Sequence, residues 1–171
     1  SGGSLSESIA ALGSLNFYIP NTSIATGQYS ARVSSDVPVA ATVGLTDSAQ
    51  EVGDDYLGTD APADVVSFPL IYRDFGSWNS KLVIQNASDS SQTINIEFFK
   101  NGSTTADASD SASIPAFSYA MFDMADYTAF GSDYGVAVAT GTAPLAGTAL
   151  AERDPGTGVA NKAQLTYRAF T

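Results

Sequence analysis

Apolar and polar positions alternate with a period of two along most of the chain, the spacing of strands with one face in a core and one in water. Lys81-Leu82-Val83-Ile84-Gln85-Asn86, just after Trp78, is one such run. Thr93-Ile94-Asn95-Ile96-Glu97-Phe98-Phe99-Lys100 is the next, and the polar stretch from Ala87 to Gln92 between them predicts a β-hairpin. Asn101-Gly102 directly after it is a strong turn signal. Ser113-Ile114 with Ala120-Met121-Phe122 predicts a further strand region. Tyr134–Thr140 and Leu145–Glu152 predict two strands around a turn at Gly141-Thr142-Ala143-Pro144, and Gln164–Phe170 closes the chain as a last strand. Leu5 to Leu12 has room for one or two short helical turns. Many short strands at roughly ten-residue spacing predict an all-β fold, an Ig-like antiparallel β-sandwich.

The chain also resembles itself. Ser8-Ile9-x-Ala11 aligns with Ser113-Ile114-x-Ala116 at an offset of 105, and the same offset sets Phe17 on Phe122 and Tyr29 on Tyr134. One inserted residue then matches Val37-Pro38-Val39-Ala40 with Ala143-Pro144-Leu145-Ala146. After a loop of different length, Leu70–Phe75 matches Leu165–Phe170. The copies are unequal, because the Trp78–Lys100 hairpin has no counterpart ahead of Ser8. The pattern predicts a second, incomplete half-repeat: residues 1–64 as an N-terminal half-repeat with an acidic loop, 65–160 as a complete sandwich, and 161–171 as a spare strand.

Phe68-Pro69-Leu70-Ile71-Tyr72-Arg73-Asp74-Phe75, followed by Trp78-Asn79-Ser80-Lys81-Leu82-Val83-Ile84-Gln85-Asn86, resembles the repeated Ig-like β-sandwich modules of large secreted bacterial cell-surface proteins. Tyr134-Gly135-Val136-Ala137-Val138 and Pro144-Leu145-Ala146 fit the closing strands of such modules. The resemblance implies a structural or adhesive role and brings no catalytic residues with it.

Composition narrows the chemistry. The chain of 171 residues has 18 acidic and 7 basic side chains, a net charge of −11, and neither Cys nor His. Thiol nucleophiles, disulfides, imidazole bases and a Ser-His-Asp triad are therefore excluded. Paired carboxylates alone, with nothing to set two of them across a cleft, do not make a glycosidase, and no enzyme is expected. The negative charge repels phosphate backbones, so nucleic acid is not an expected partner. No stretch reads as a membrane helix: Tyr134 to Ala151 is uncharged but rich in Gly, Thr and Pro. With 44% apolar residues the chain is expected to fold, and its low Lys and high Ser, Thr, Ala and Asp content leans towards an extracellular or cell-surface place.

Four sets of candidate residues remain. Asp47, Glu51, Asp54, Asp55, Asp60 and Asp64 crowd the segment that the second copy lacks. Within it Asp54, Asp55 and Asp60 are the candidate ligands for Ca²⁺, which takes hard oxygen donors from a flexible loop; the alternative is a solvated acidic loop. No other cofactor is expected. Asn21, Asn86 and Asn101 head Asn-x-Ser/Thr sequons and are candidate glycosylation sites. Trp78 is a sugar-stacking platform or a core residue, with the position before a strand favouring the core. Finally, Leu165, Tyr167 and Phe170 are the side chains that the spare strand would insert into a neighbouring copy. Head-to-tail donation of this kind predicts a homopolymer, the structural subunit of an extracellular filament or surface layer. Pairing of the tail within its own chain, or a fragment cut from a longer array, are the alternatives for the strand. A cell-surface adhesin or glycan-binding module is the rival class.

Overall fold

A computed structural model describes residues 3–46, 53–153 and 162–171. The chain divides into two units, Ser1–Ala31 and Arg32–Thr171. Among the described residues of the first there is a single 3₁₀ turn, Ile19–Asn21, with no strand and no buried side chain. Neither Leu5–Leu12 nor Tyr29–Val33 nor Pro38–Ala40 adopts a helix or strand. Strand-like patterning alone does not make a strand; backbone groups need a second segment to pair with, and none of these stretches pairs in a ladder among the described residues.

The fold is all-β and antiparallel. β1 (Thr42–Thr46) and β2 (Gly53–Leu57) form a hairpin of their own. β3 (Ala63–Arg73), β4 (Trp78–Asn86), β5 (Gln92–Lys100), β6 (Ala108–Ile114), β7 (Tyr119–Asp123), β8 (Asp133–Arg153) and β9 (Ala163–Arg168) join in one seven-stranded sheet.

β8 organises that sheet. Its first half, to Thr140, lies between β3 and β5, so that Ala137 faces both Phe68 and Phe98. Its second half, from Leu145, pairs with β4, and from Thr148 it lies between β4 and β9, so that Ala149 faces both Leu82 and Tyr167. β6 flanks β5 and β7 flanks β4. On the opposite side, Ser67 of β3 bridges to Phe170 beyond β9 through two backbone hydrogen bonds of 2.8 and 2.9 Å. The sheet thereby curls almost into a barrel, and its open side is the seam where the edge strands β6 and β7 stay unpaired with each other.

Gly141–Pro144 is thus not the turn that its composition predicts. It is the middle of a 21-residue strand at the point where the strand changes neighbours. There the ladder lapses, and the amide groups of Thr142 and Ala143 both donate to Gln92 Oε1 at 3.0 Å. Pro144 has no N–H to satisfy, and its carbonyl accepts from Ala87 N–H at 2.9 Å.

The inner face of β8 reads Gly135, Ala137, Ala139, then Leu145, Gly147, Ala149, Ala151, all buried and nearly all small. A central strand paved with small residues leaves room for Phe68, Leu82, Ile84, Ile94, Ile96 and Phe98 from its neighbours, each fully buried. Each such side chain is worth about 1.5–3 kcal/mol of transfer free energy. At Gly135 a Cβ would lie 1.9 Å from the carbonyl oxygen of Phe99, and at Gly147 2.7 Å from the Phe68 ring. The β3–β4 turn is the two-residue kind, with Gly76 and Ser77 both at positive φ (60° and 69°), the geometry that matches strand twist.

Candidate functional site

β9, the strand expected to leave for a neighbour, is seated in its own chain. It runs along the end of β8 from Ala163 opposite Arg153 to Arg168 opposite Thr148. Tyr167 and Ala169 pack against the core, while Leu165 and Phe170 remain exposed. The close approach of Ala169 is possible because Gly147 has no side chain; a Cβ there would meet Ala169 Cβ at 2.8 Å. Ala169 N–H in turn donates to Gly147 O at 2.8 Å. Of the three side chains expected to insert, then, Tyr167 does so in cis, and Ala169 is the insertion that apolar bulk did not single out.

Tyr167 also ties β9 to β3. Pro69 interrupts β3, the register slips between Phe68 and Ile71, and Tyr167 OH donates to the carbonyl of Leu70 in that bulge. Burial pushes the Tyr167 hydroxyl up to about 12.

The acidic segment has a structural role at this strand. The part of it that the structure describes is no open loop: Asp54 and Asp55 stand in β2, and Asp64 stands in β3. Asp47 and Glu51 lie outside the described residues. β2 packs beside β9, where Asp54 Oδ2 accepts from Thr166 N–H and Arg168 Nη1 donates to Gly58 O at 3.3 Å. Asp54 Oδ1 takes Asp55 N–H at 2.8 Å. Both oxygens of Asp54 are therefore engaged by the backbone. Asp60 is exposed, and among the described residues no three Asp or Glu side chains gather as a metal-binding group.

The sequons separate by burial. Asn21 ends the 3₁₀ turn and is exposed. Asn101 is exposed in the turn after β5, its amide donating to Tyr134 OH at 2.9 Å. Asn86 must be corrected: it is fully buried, and its amide nitrogen donates to the carbonyls of Ser90 (2.7 Å), Ile114 (3.1 Å) and Pro115 (3.1 Å). Its carbonyl oxygen accepts from Ser88 and from Gln92 Nε2 at 2.8 Å. No glycan fits there. Asn86 is instead the pin that joins the β4–β5 turn, the end of β6 and, through Gln92, the partner-switching point of β8. Its signal was parity: Ser80, Leu82, Ile84 and Asn86 all fall on the inward face of β4.

Trp78 is half-buried in an aromatic cluster, 5.8 Å from the Tyr72 ring; Phe75 lies 5.0 Å from Tyr134. The cluster caps the β3–β4 turn, and Phe75 keeps its outer face in solvent. No helix among the described residues is long and apolar enough to cross a membrane.

No family model and no curated protein matches the chain. A solved structure described as Thermotoga maritima 1070 is similar in fold, with a TM-score of 0.54 at 16% identity over 64% of this chain and 94% of that one. At that identity the likeness speaks for the fold alone.

Proposed function

We propose that the chain is a structural subunit of an extracellular filament or surface layer, its copies joined head to tail by β-strand addition. One observation carries this reading: the sheet ends on two edge strands, β6 and β7, while residues 3–41 hold strand-like sequence without a strand or a buried side chain. Unpaired edges and uncovered apolar chain are each costly in water, and one pairing between copies relieves both. In the finer form of the proposal, β3–β9 correspond to an Ig-like sandwich whose halves share β8. The N-terminal half-repeat is then completed by a neighbour. Surface location rests on composition and on the resemblance to secreted modules. Exchange of β9 itself between copies would rebuild the same ladder in trans, but it would first have to leave β8, the Leu70 carbonyl and Asp54.

Electron microscopy and light scattering of the purified protein test the proposal. Filaments or an ordered layer are expected; a single species of one 17.6 kDa chain at all concentrations overturns it.

A second reading, a glycan-binding surface module, is favoured by the cluster of Tyr72, Phe75, Trp78 and Tyr134 beside the Asn101 amide. It requires saturable quenching or enhancement of Trp78 fluorescence by oligosaccharides.

A further inference from the structure

We infer that residues 14–19 of one copy are the added strand and that the seam between β6 and β7 of the next copy receives it, an assignment that rests on the strand-addition reading. In Ser14-Leu15-Asn16-Phe17-Tyr18-Ile19 an extended backbone sets Leu15, Phe17 and Ile19 in one row, and that row is partly exposed: the three are 41%, 43% and 46% exposed. Among the described residues, Ser14 to Phe17 take part in no backbone–backbone hydrogen bond. A segment that presents both an apolar row and free backbone groups is suited to a sheet edge, where both are used, more than to an apolar groove, where only the row is.

The internal offset of 105 says what kind of strand this is. It places Leu15, Phe17 and Ile19 on Ala120, Phe122 and Met124, at β7 and the residue after it. Phe122 and Met124 are core residues in the body, 5% and 0% exposed. The segment thus carries the inward pattern of the strand that borders the seam, in bulkier form.

The seam has the complementary shape. Ala108 and Ala112 on β6, Ala120 on β7 and Tyr127 just beyond it pack against the core yet stay partly open. All three aliphatic side chains beside this unpaired edge are alanines, the smallest that a bulkier row could pack over. Tyr127 OH donates to Asp110 Oδ2 at 2.8 Å, crossing from the turn after β7 to β6 and bounding the gap, so a short strand suffices. β7 itself has five residues.

Charge permits the approach. Residues 3–31 contain one ionised side chain, Glu7, so nearly all of the net charge of −11 lies on the remainder. A neutral donor meets an acidic body without the repulsion that two bodies feel. Residues 20–31 can span at most about 40 Å when extended.

The test is the full chain carrying Leu15→Asp and Phe17→Asp together. The expected result is loss of polymer, a mass of one chain, and an unfolding midpoint equal to that of wild type at concentrations too low to polymerise, because neither residue contributes to the core. Phe17→Leu should restore assembly. A synthetic peptide of residues 8–24 in excess should cap the seam and shorten wild-type polymers. Polymers that form unchanged in the double variant overturn this donor and leave strand addition standing. A wild-type protein that never polymerises overturns both.

Discussion

Asn86 engages both ends of its amide with buried partners, and the residue scale is where that arrangement is most exposed to change. Asn86→Ala takes the donor from the carbonyls of Ile114 and Pro115 and one acceptor from Gln92 Nε2, which keeps only its bond to Ala143 O. At about 1–3 kcal/mol for each buried group left unsatisfied, the loss should reach about 3 kcal/mol or more in a denaturant titration. Asn86→Asp should be worse, since a carboxylate would face three carbonyl oxygens. Gly135→Ala is expected to fail more completely, because the clash at 1.9 Å is with backbone of the paired strand and no rotamer relieves it. Tyr167 adds a pH dependence. Its hydroxyl ionises near 10 in an unfolded chain and only near 12 in the fold, owing chiefly to burial. Below pH 10 it is protonated in both states and contributes no slope. Between 10 and 12 the unfolded chain releases the proton and the folded one keeps it, so stability falls as pH rises. Tyr127, also raised by burial and then by Asp110, acts in the same direction. Denaturant midpoints measured from pH 9 to 12 should decline, and Tyr167→Phe should shallow the decline while losing the bond to Leu70.

Among the elements, β9 changes meaning most between sequence and structure. Read as a spare strand, it could be removed without harm to the body. Seated as it is, its deletion strips Tyr167 and Ala169 from the core, uncovers the end of β8 and leaves Asp54 Oδ2 without its donor. Removal of residues 162–171 should therefore lower the unfolding midpoint of the whole body by several degrees, and a midpoint equal to wild type would show that β9 is dispensable to it. β4, β5 and β9 were legible because alternation survives wherever a strand has one wet face. The halves of β8 were legible too, but not their continuity. Gly141-Thr142-Ala143-Pro144 has turn composition, and what keeps it extended is the side chain of Gln92, distant in sequence. β1 and β2 were missed because acidic, half-exposed hairpins look like loops. Leu15–Ile19 shows the converse: strand patterning there forms no strand, since a strand is a property of two segments and local pattern displays only one. Asn86 was hidden by its sequon, though its parity on β4 pointed inward. Of the candidate Ca²⁺ ligands Asp54, Asp55 and Asp60, the first two are neighbours on β2, which sets them on opposite faces, and Asp60 lies beyond that strand.

On the scale of the whole molecule, charge and assembly pull in opposite directions, and salt separates them. Each copy has a net charge of −11 and a pI of about 4.1, so two bodies brought into contact near neutral pH repel each other. The proposed contact is apolar and hydrogen-bonded, with a donor that is close to neutral. Added salt should then screen the repulsion while leaving the contact intact: the Debye length shrinks from about 30 Å at 0.01 M to about 8 Å at 0.15 M. The elongation rate, followed by light scattering, is expected to rise across that range and then level off. It should rise likewise as pH falls towards 4 and the carboxylates lose charge. If the copies were held together by ion pairs, for instance between Arg or Lys of one and the acidic hairpin of the next, the same salt series would slow assembly. A rate that falls with salt would therefore count against a strand-for-edge contact, whichever segment supplies the strand. A rate that rises in the wild type and is abolished in the Leu15→Asp, Phe17→Asp protein at every salt concentration would place the whole of the attraction in the N-terminal strand.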